Sequence, residues 1–292
     1  MDVVQERSDL GDRVDAAIRR LKTFRDEDAA VVDLLSCGPA AIEPLRELLF
    51  NREPSGLYRP RCLAAETLGC LGAREVLTEF LLRPRTVEDP VEQTGEEAVT
   101  NAAARALGRW KDDATFDLLL GIGRERTLSG VVAVLADFGR TEAIPAFSAA
   151  LAEDFTRPAA EEGFRRLGPA ARPELLRLAC SRPPVAIGES ETSRRLRRAA
   201  LRLLAELPNQ DAIEPALIQL VNDPDPEVSC RAAALCLPAL PEDRRRAVTC
   251  RLLSLRDSRD WHVAQAAEEA LVRHHLHECP DRGLAQRDGS SR

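Results

Sequence analysis

The stretch DPDPEVSCRAAALCLPAL, Asp223–Leu240, decides how the rest of the chain is read. Asp225 suits a helix N-cap, its carboxylate accepting free backbone N–H groups, and Pro226 suits the first helical position, where no donor is needed. Val228, Ala232, Ala233, Cys236 and Leu240 then fall on one helical face. A short helix with one greasy side cannot stand alone, so the question is what covers it.

The answer lies in repetition. CGPAAIEPLRELLF (Cys37–Phe50) returns as LGPAARPELLRLAC (Leu167–Cys180). Related faces recur at Val99, Ala103, Leu107 and Trp110, and at Leu196, Ala200, Leu204 and Leu207. One anchor per unit gives Leu34, Leu68, Leu107, Leu135, Phe164, Leu204, Cys236 and Leu271. Neighbouring anchors are 28 to 40 residues apart, with a mean of about 34, a spacing expected of a helical solenoid. After each anchor the chain turns, often at glycine (Gly38, Gly72, Gly139, Gly168). A second helix follows, with proline near its start at Pro44, Pro145, Pro173 and Pro215, where proline costs little. Each unit is an α-hairpin whose apolar face is buried by its neighbours.

Composition agrees. Apolar residues make up 44% and aromatics only 4%, so the core is aliphatic. Ala and Leu favour helix, whereas strand-forming residues are sparse. The repeated phrases resemble HEAT repeats of the short bacterial type also found in phycobilin lyases. That resemblance covers roughly residues 26–277 and implies an all-α fold: an α-solenoid, a right-handed superhelix of about seven helical pairs with an extra helix at each end. Residues 1–25 read as an N-terminal capping helix, 26–277 as the solenoid and 278–292 as a disordered tail.

Two anchor spacings are long and coincide with loop-like stretches, RPRTVEDPVEQTGEE from Arg83 and SRPPVAIGESETS from Ser181. Loops of this kind can contact partners. The N-terminus lacks a secretory pattern, and no apolar run approaches the ~20 residues of a membrane span. Eight scattered cysteines without a CxxC pair are expected as reduced thiols in a cytoplasmic protein.

Motifs for catalysis are missing: there is no GxGxxG, GxxxxGK followed by Ser or Thr, GxSxG or HExxH. The cluster of His274, His275, His277 and Cys279 has some metal-ligand character, but its place at the end of the last helix favours solvated side chains. No cofactor, metal or catalytic residue is expected. The net charge of −7, with 39 Arg and two Lys, disfavours nucleic acid as a partner.

In HEAT solenoids the second helices commonly line the concave face. Here the first six carry twelve acids against five arginines, and the seventh is basic. Such a field would steer a basic or mixed-charge protein partner. The contact candidates are Glu43, Glu47, Glu75, Glu79, Asp113, Asp117, Glu174 and Glu214, with Arg244 and Arg245 at the basic end. The expected function is a monomeric, non-enzymatic scaffold or adaptor that binds a protein. A phycobilin-lyase-like enzyme or chaperone subunit, and a nucleic-acid-binding HEAT-like protein, are the alternatives.

Overall fold

The computed structural model describes residues 2–23, 26–51, 58–85, 87–182, 188–208 and 215–276, and every regular element among them is helical. The chain divides into two compact units, Met1–Ala150 with Pro158–Gly163, and Leu151–Arg157 with Phe164–Arg292.

In the first unit, α1 (Asp2–Lys22) packs through Val14, Ala17 and Leu21 against α2 (Glu27–Cys37) and α3 (Ile42–Phe50). Three further hairpins follow: α4 (Tyr58–Cys70) with α5 (Arg74–Leu82), α6 (Pro90–Leu107) with α7 (Asp113–Glu125), and α8 (Ser129–Phe138) with α9 (Ile144–Ala150). The first helices α2, α4, α6 and α8 pack on one another in chain order, and the second helices form the layer beside them. Leu34, Leu68, Leu107 and Leu135 are all buried between the layers. Burying an aliphatic side chain of this size gives roughly 1.5–3 kcal/mol, so stacking supplies what a lone hairpin lacks.

Helix α10 (Arg157–Leu167) is divided between the units. The second unit continues with α11 (Arg172–Cys180), α12 (Glu191–Glu206), α13 (Pro215–Leu220), α14 (Pro226–Cys236), α15 (Glu242–Arg256) and α16 (Trp261–Arg273). Among the described residues the helices follow one another as seven pairs, preceded by α1 and followed by α16, an all-α solenoid arrangement. Its anchors Phe164, Leu204, Cys236 and Leu271 are buried as well.

The duplicated phrase makes the same turn twice. Gly38 and Gly168 end α2 and α10 at φ 60° and 56°, with ψ −136° and −131°, a region that side chains with a Cβ avoid. Each opens one turn of 3₁₀ helix, Gly38–Ala41 and Gly168–Ala171, which delivers the chain into α3 or α11.

That phrase also receives a buried arginine. Arg61 on α4 donates its Nε–H to the carbonyl of Leu49 (3.0 Å), and its other nitrogens to Glu96 (2.6 and 3.0 Å). Arg197 on α12 donates its Nε–H to the carbonyl of Ala179 (3.0 Å). Glu189 (2.9 and 3.0 Å) and Asp223 accept from the rest of its guanidinium. Leu49 and Ala179 hold the same place in the two copies of the phrase.

Two expectations need correction. The stretch from Arg83 is loop only as far as Asp89, whose carboxylate caps α6 by accepting from Val91 and Glu92 N–H (2.9 Å each). The expectation of reduced thiols fails at Cys250, which is disulfide-bonded; the other six cysteines among the described residues form no disulfide. Burial pushes the Cys236 thiol up to about 12, so it packs as a small hydrophobe. No helix among the described residues is long and apolar enough to cross a membrane. The expected tail lies outside the described residues. The second long stretch is described only in part: Ser190 caps α12 by accepting from Ser193 N–H (3.1 Å).

Candidate functional site

In α5 (REVLTEFLL) the core takes Leu77, Phe80 and Leu81. Glu75, Thr78, Glu79 and Leu82 are left off that face. In α7 the core takes Phe116, Leu119 and Leu120, leaving Ala114, Asp117 and Leu118. The two helices are tied at their starts. Asp112 caps α7 by accepting from Thr115 N–H (2.9 Å), and Arg74 at the head of α5 donates to the same carboxylate (2.6 and 2.8 Å). That backbone bond first, and then Arg74, holds the Asp112 carboxyl below the usual range.

Beyond this tie, α5 and α7 flank an open groove of about 780 Å³. It is lined by Leu82, Ala114 and Leu118 with Leu107 of α6, together with the charged residues Arg74, Glu75, Glu79 and Arg83. A second cavity of about 360 Å³ shares Leu82, Arg83 and Leu118 and runs on to Pro84, Ile122 and Glu125. Leu82 stands 63% exposed where the two meet. The two linings combine apolar side chains with arginines and carboxylates and contain no His, Cys, Ser or Lys.

Six of the ten predicted contact residues fall on the second helices of this unit, and arginines occupy half of them. Arg46 bridges Glu43 (3.1 Å) and both oxygens of Glu79 (3.1 and 3.2 Å), while Arg83 adds a pair to Glu79 (2.9 Å). Asp113 accepts from Arg140. Glu47, Glu75 and Asp117 make no ion pair among the described residues, although Asp117 lies in the field of Arg140. Glu75, Glu79 and Asp117 line the cavities; Glu43, Glu47 and Asp113 do not.

The remaining four lie in the other unit. Glu174 is paired with Arg177 (2.6 Å). Arg245 is paired with Glu242 (3.3 Å) and also donates to the carbonyls of Pro238 and Leu240 (3.2 Å each). Arg244 is exposed, and Glu214 lies outside the described residues. Of the histidine cluster, His274 is hydrogen-bonded to the carbonyl of Ala234 (2.8 Å), and burial lowers its pKa. His277 and Cys279 lie outside the described residues. No group of His, Cys, Asp or Glu among the described residues is placed to hold a metal.

Leu82, Arg83 and Leu118 were not singled out from the sequence. The signal for Leu82 is a third apolar residue at the end of α5 that the core does not need.

Residues 182–272, about a third of the chain, match the family model of HEAT repeats. No curated protein matches the chain.

Proposed function

We propose that this chain, a member of the HEAT-repeat family, docks an amphipathic segment of a partner protein in the groove between α5 and α7. The observation that carries this is Leu82, an exposed leucine that lines the groove beside Ala114, Leu118 and the charged residues Arg74, Glu75, Glu79 and Arg83. Apolar anchors set in polar rims supply most of the affinity of protein interfaces. HEAT repeats commonly mediate contacts between proteins, which supports the same reading. Glu75 and Asp117, which make no ion pair among the described residues, favour a partner with an apolar anchor flanked by Lys or Arg. They disfavour a phosphate backbone.

The test is peptide display against the native protein, with counter-selection against Leu82→Asp. The reading expects enriched peptides with a Leu or Phe between basic residues, and loss of their binding to L82D. Peptides that bind native and L82D protein equally would sink it.

A further inference from the structure

Gly121 sits within α7 at an exposed position, and a Cβ built there would meet nothing within 4 Å. The other glycine of that helix, Gly123, is different. A Cβ there would come within 3.2 Å of Leu135 and 3.4 Å of Ala146, so packing on α8 and α9 accounts for it. At 121 alanine would serve the helix better, because glycine gives up more backbone freedom on ordering. The fold therefore supplies no reason for a bare backbone at this point. Asp117 and Glu125 lie four residues to either side, so the three share one strip of α7. All three line the second cavity, beside Leu118 and Ile122.

The arginines that line the two cavities are already matched. Arg74 pairs with Asp112 (2.6 Å), Arg83 with Glu79 (2.9 Å), Arg85 with Glu96 (3.5 Å) and Arg126 with Glu97 (3.3 Å). Three lining carboxylates are not, since Glu75, Asp117 and Glu125 make no ion pair among the described residues. Arg140, itself paired with Asp113, reaches Asp117 only through its field, and Arg124 beside Glu125 lines neither cavity. The surplus charge of the groove is negative.

Taking the groove between α5 and α7 as the docking site, we infer that the docked segment is an α-helix that packs at a shallow angle across Gly121 and carries two basic residues seven or eight positions apart. The middle of a helix has no free backbone edge. An extended segment on Leu82, Leu118 and Ile122 would therefore leave its own N–H and C=O groups unpaired. A helix pairs those groups internally and presents one apolar strip to the groove. The missing side chain at Gly121 lets that helix come closer to α7 than a larger residue would permit. Asp117 and Glu125 are about 12 Å apart along α7, the rise of eight helical residues. Lys or Arg at the same separation on the partner meets both acids, with its apolar strip between them.

The experiment is fluorescence anisotropy of the full chain with three labelled alanine-based peptides of about 18 residues, long enough to form a helix. The first has leucines between two lysines eight positions apart. The second places the lysines four positions apart, and the third keeps the first spacing but carries a central proline, which breaks the helix. Native protein should bind the first peptide about tenfold or more tighter than the proline form, and about fivefold tighter than the second. Gly121→Ala should weaken that binding about fivefold while raising the thermal unfolding midpoint by about 1–3 °C, a combination that damage to the fold does not produce. Asp117→Asn/Glu125→Gln should erase the preference for the wider lysine spacing. Equal binding of the proline form, or undiminished binding by Gly121→Ala, would overturn the helix. If that binding were still lost in Leu82→Asp, the groove would stand as the docking site. Binding of none of the three peptides would also overturn the helix, and the display experiment then judges the groove on its own.

Discussion

The two units hold the same buried arginine by different means. Arg61 and Arg197 both reach a carbonyl at the end of the preceding second helix, one at Leu49 and the other at Ala179. In the first unit the counter-charge is Glu96, inside α6, and Arg85 also approaches it at 3.5 Å. In the second unit there are two counter-charges, both outside helices: Glu189 before α12, and Asp223 in the turn before α14. Asp223 also accepts the N–H of Asp225 (3.0 Å), so one carboxylate holds both the arginine and the turn. The helix pair being clasped thus sets where the guanidinium sits, and the acid can come from a helix or from a turn. HEAT repeats match at residues 182–272, which contain the turn-borne form.

The contrast orders the stability effects. Arg197→Met leaves Glu189 and Asp223 buried without their cation, and urea unfolding should show a loss of about 4–5 kcal/mol. Arg61→Met should cost less, about 3 kcal/mol, because Arg85 remains beside Glu96. Equal losses would break the comparison.

Asp225→Ala removes the cap of α14 and the partner of Arg198, a smaller loss of about 1–2 kcal/mol. Burial opposes ionisation of Asp225, but Arg198 and the N–H of Val228 outweigh it and depress its pKa. The stabilisation from this carboxylate is therefore complete above the unfolded value near ~3.9 and is lost as pH falls through the folded one. An acid titration of stability should lose this component in D225A. Leu82→Asp, at an exposed position, should change stability least, by less than about 0.5 kcal/mol, while removing peptide binding.

Much of the fold was legible because it is written in local chemistry. Gly38 and Gly168 mark turns that need positive φ, Asp225 marks a cap, and the anchors from Leu34 to Leu271 mark the buried face. The clamps were not legible. Arg61 and Glu96 are charged residues at helical positions that read as surface until neighbouring hairpins close over them. The start of α6 at Pro90 was hidden in a polar run whose cap, Asp89, resembles any loop aspartate. The acids of the second helices were visible, but which of them arginines neutralise depends on partners such as Arg46 and Arg140, up to 33 residues away in sequence. The groove arises from the space that α5 and α7 leave between them, and no single helix encodes it.

Hydrogen exchange with and without a peptide selected by display tests the proposed docking site most directly. Slowed exchange confined to 74–85 and 113–126 is the predicted result. Protection confined to the first helices, or to the second unit, would contradict it.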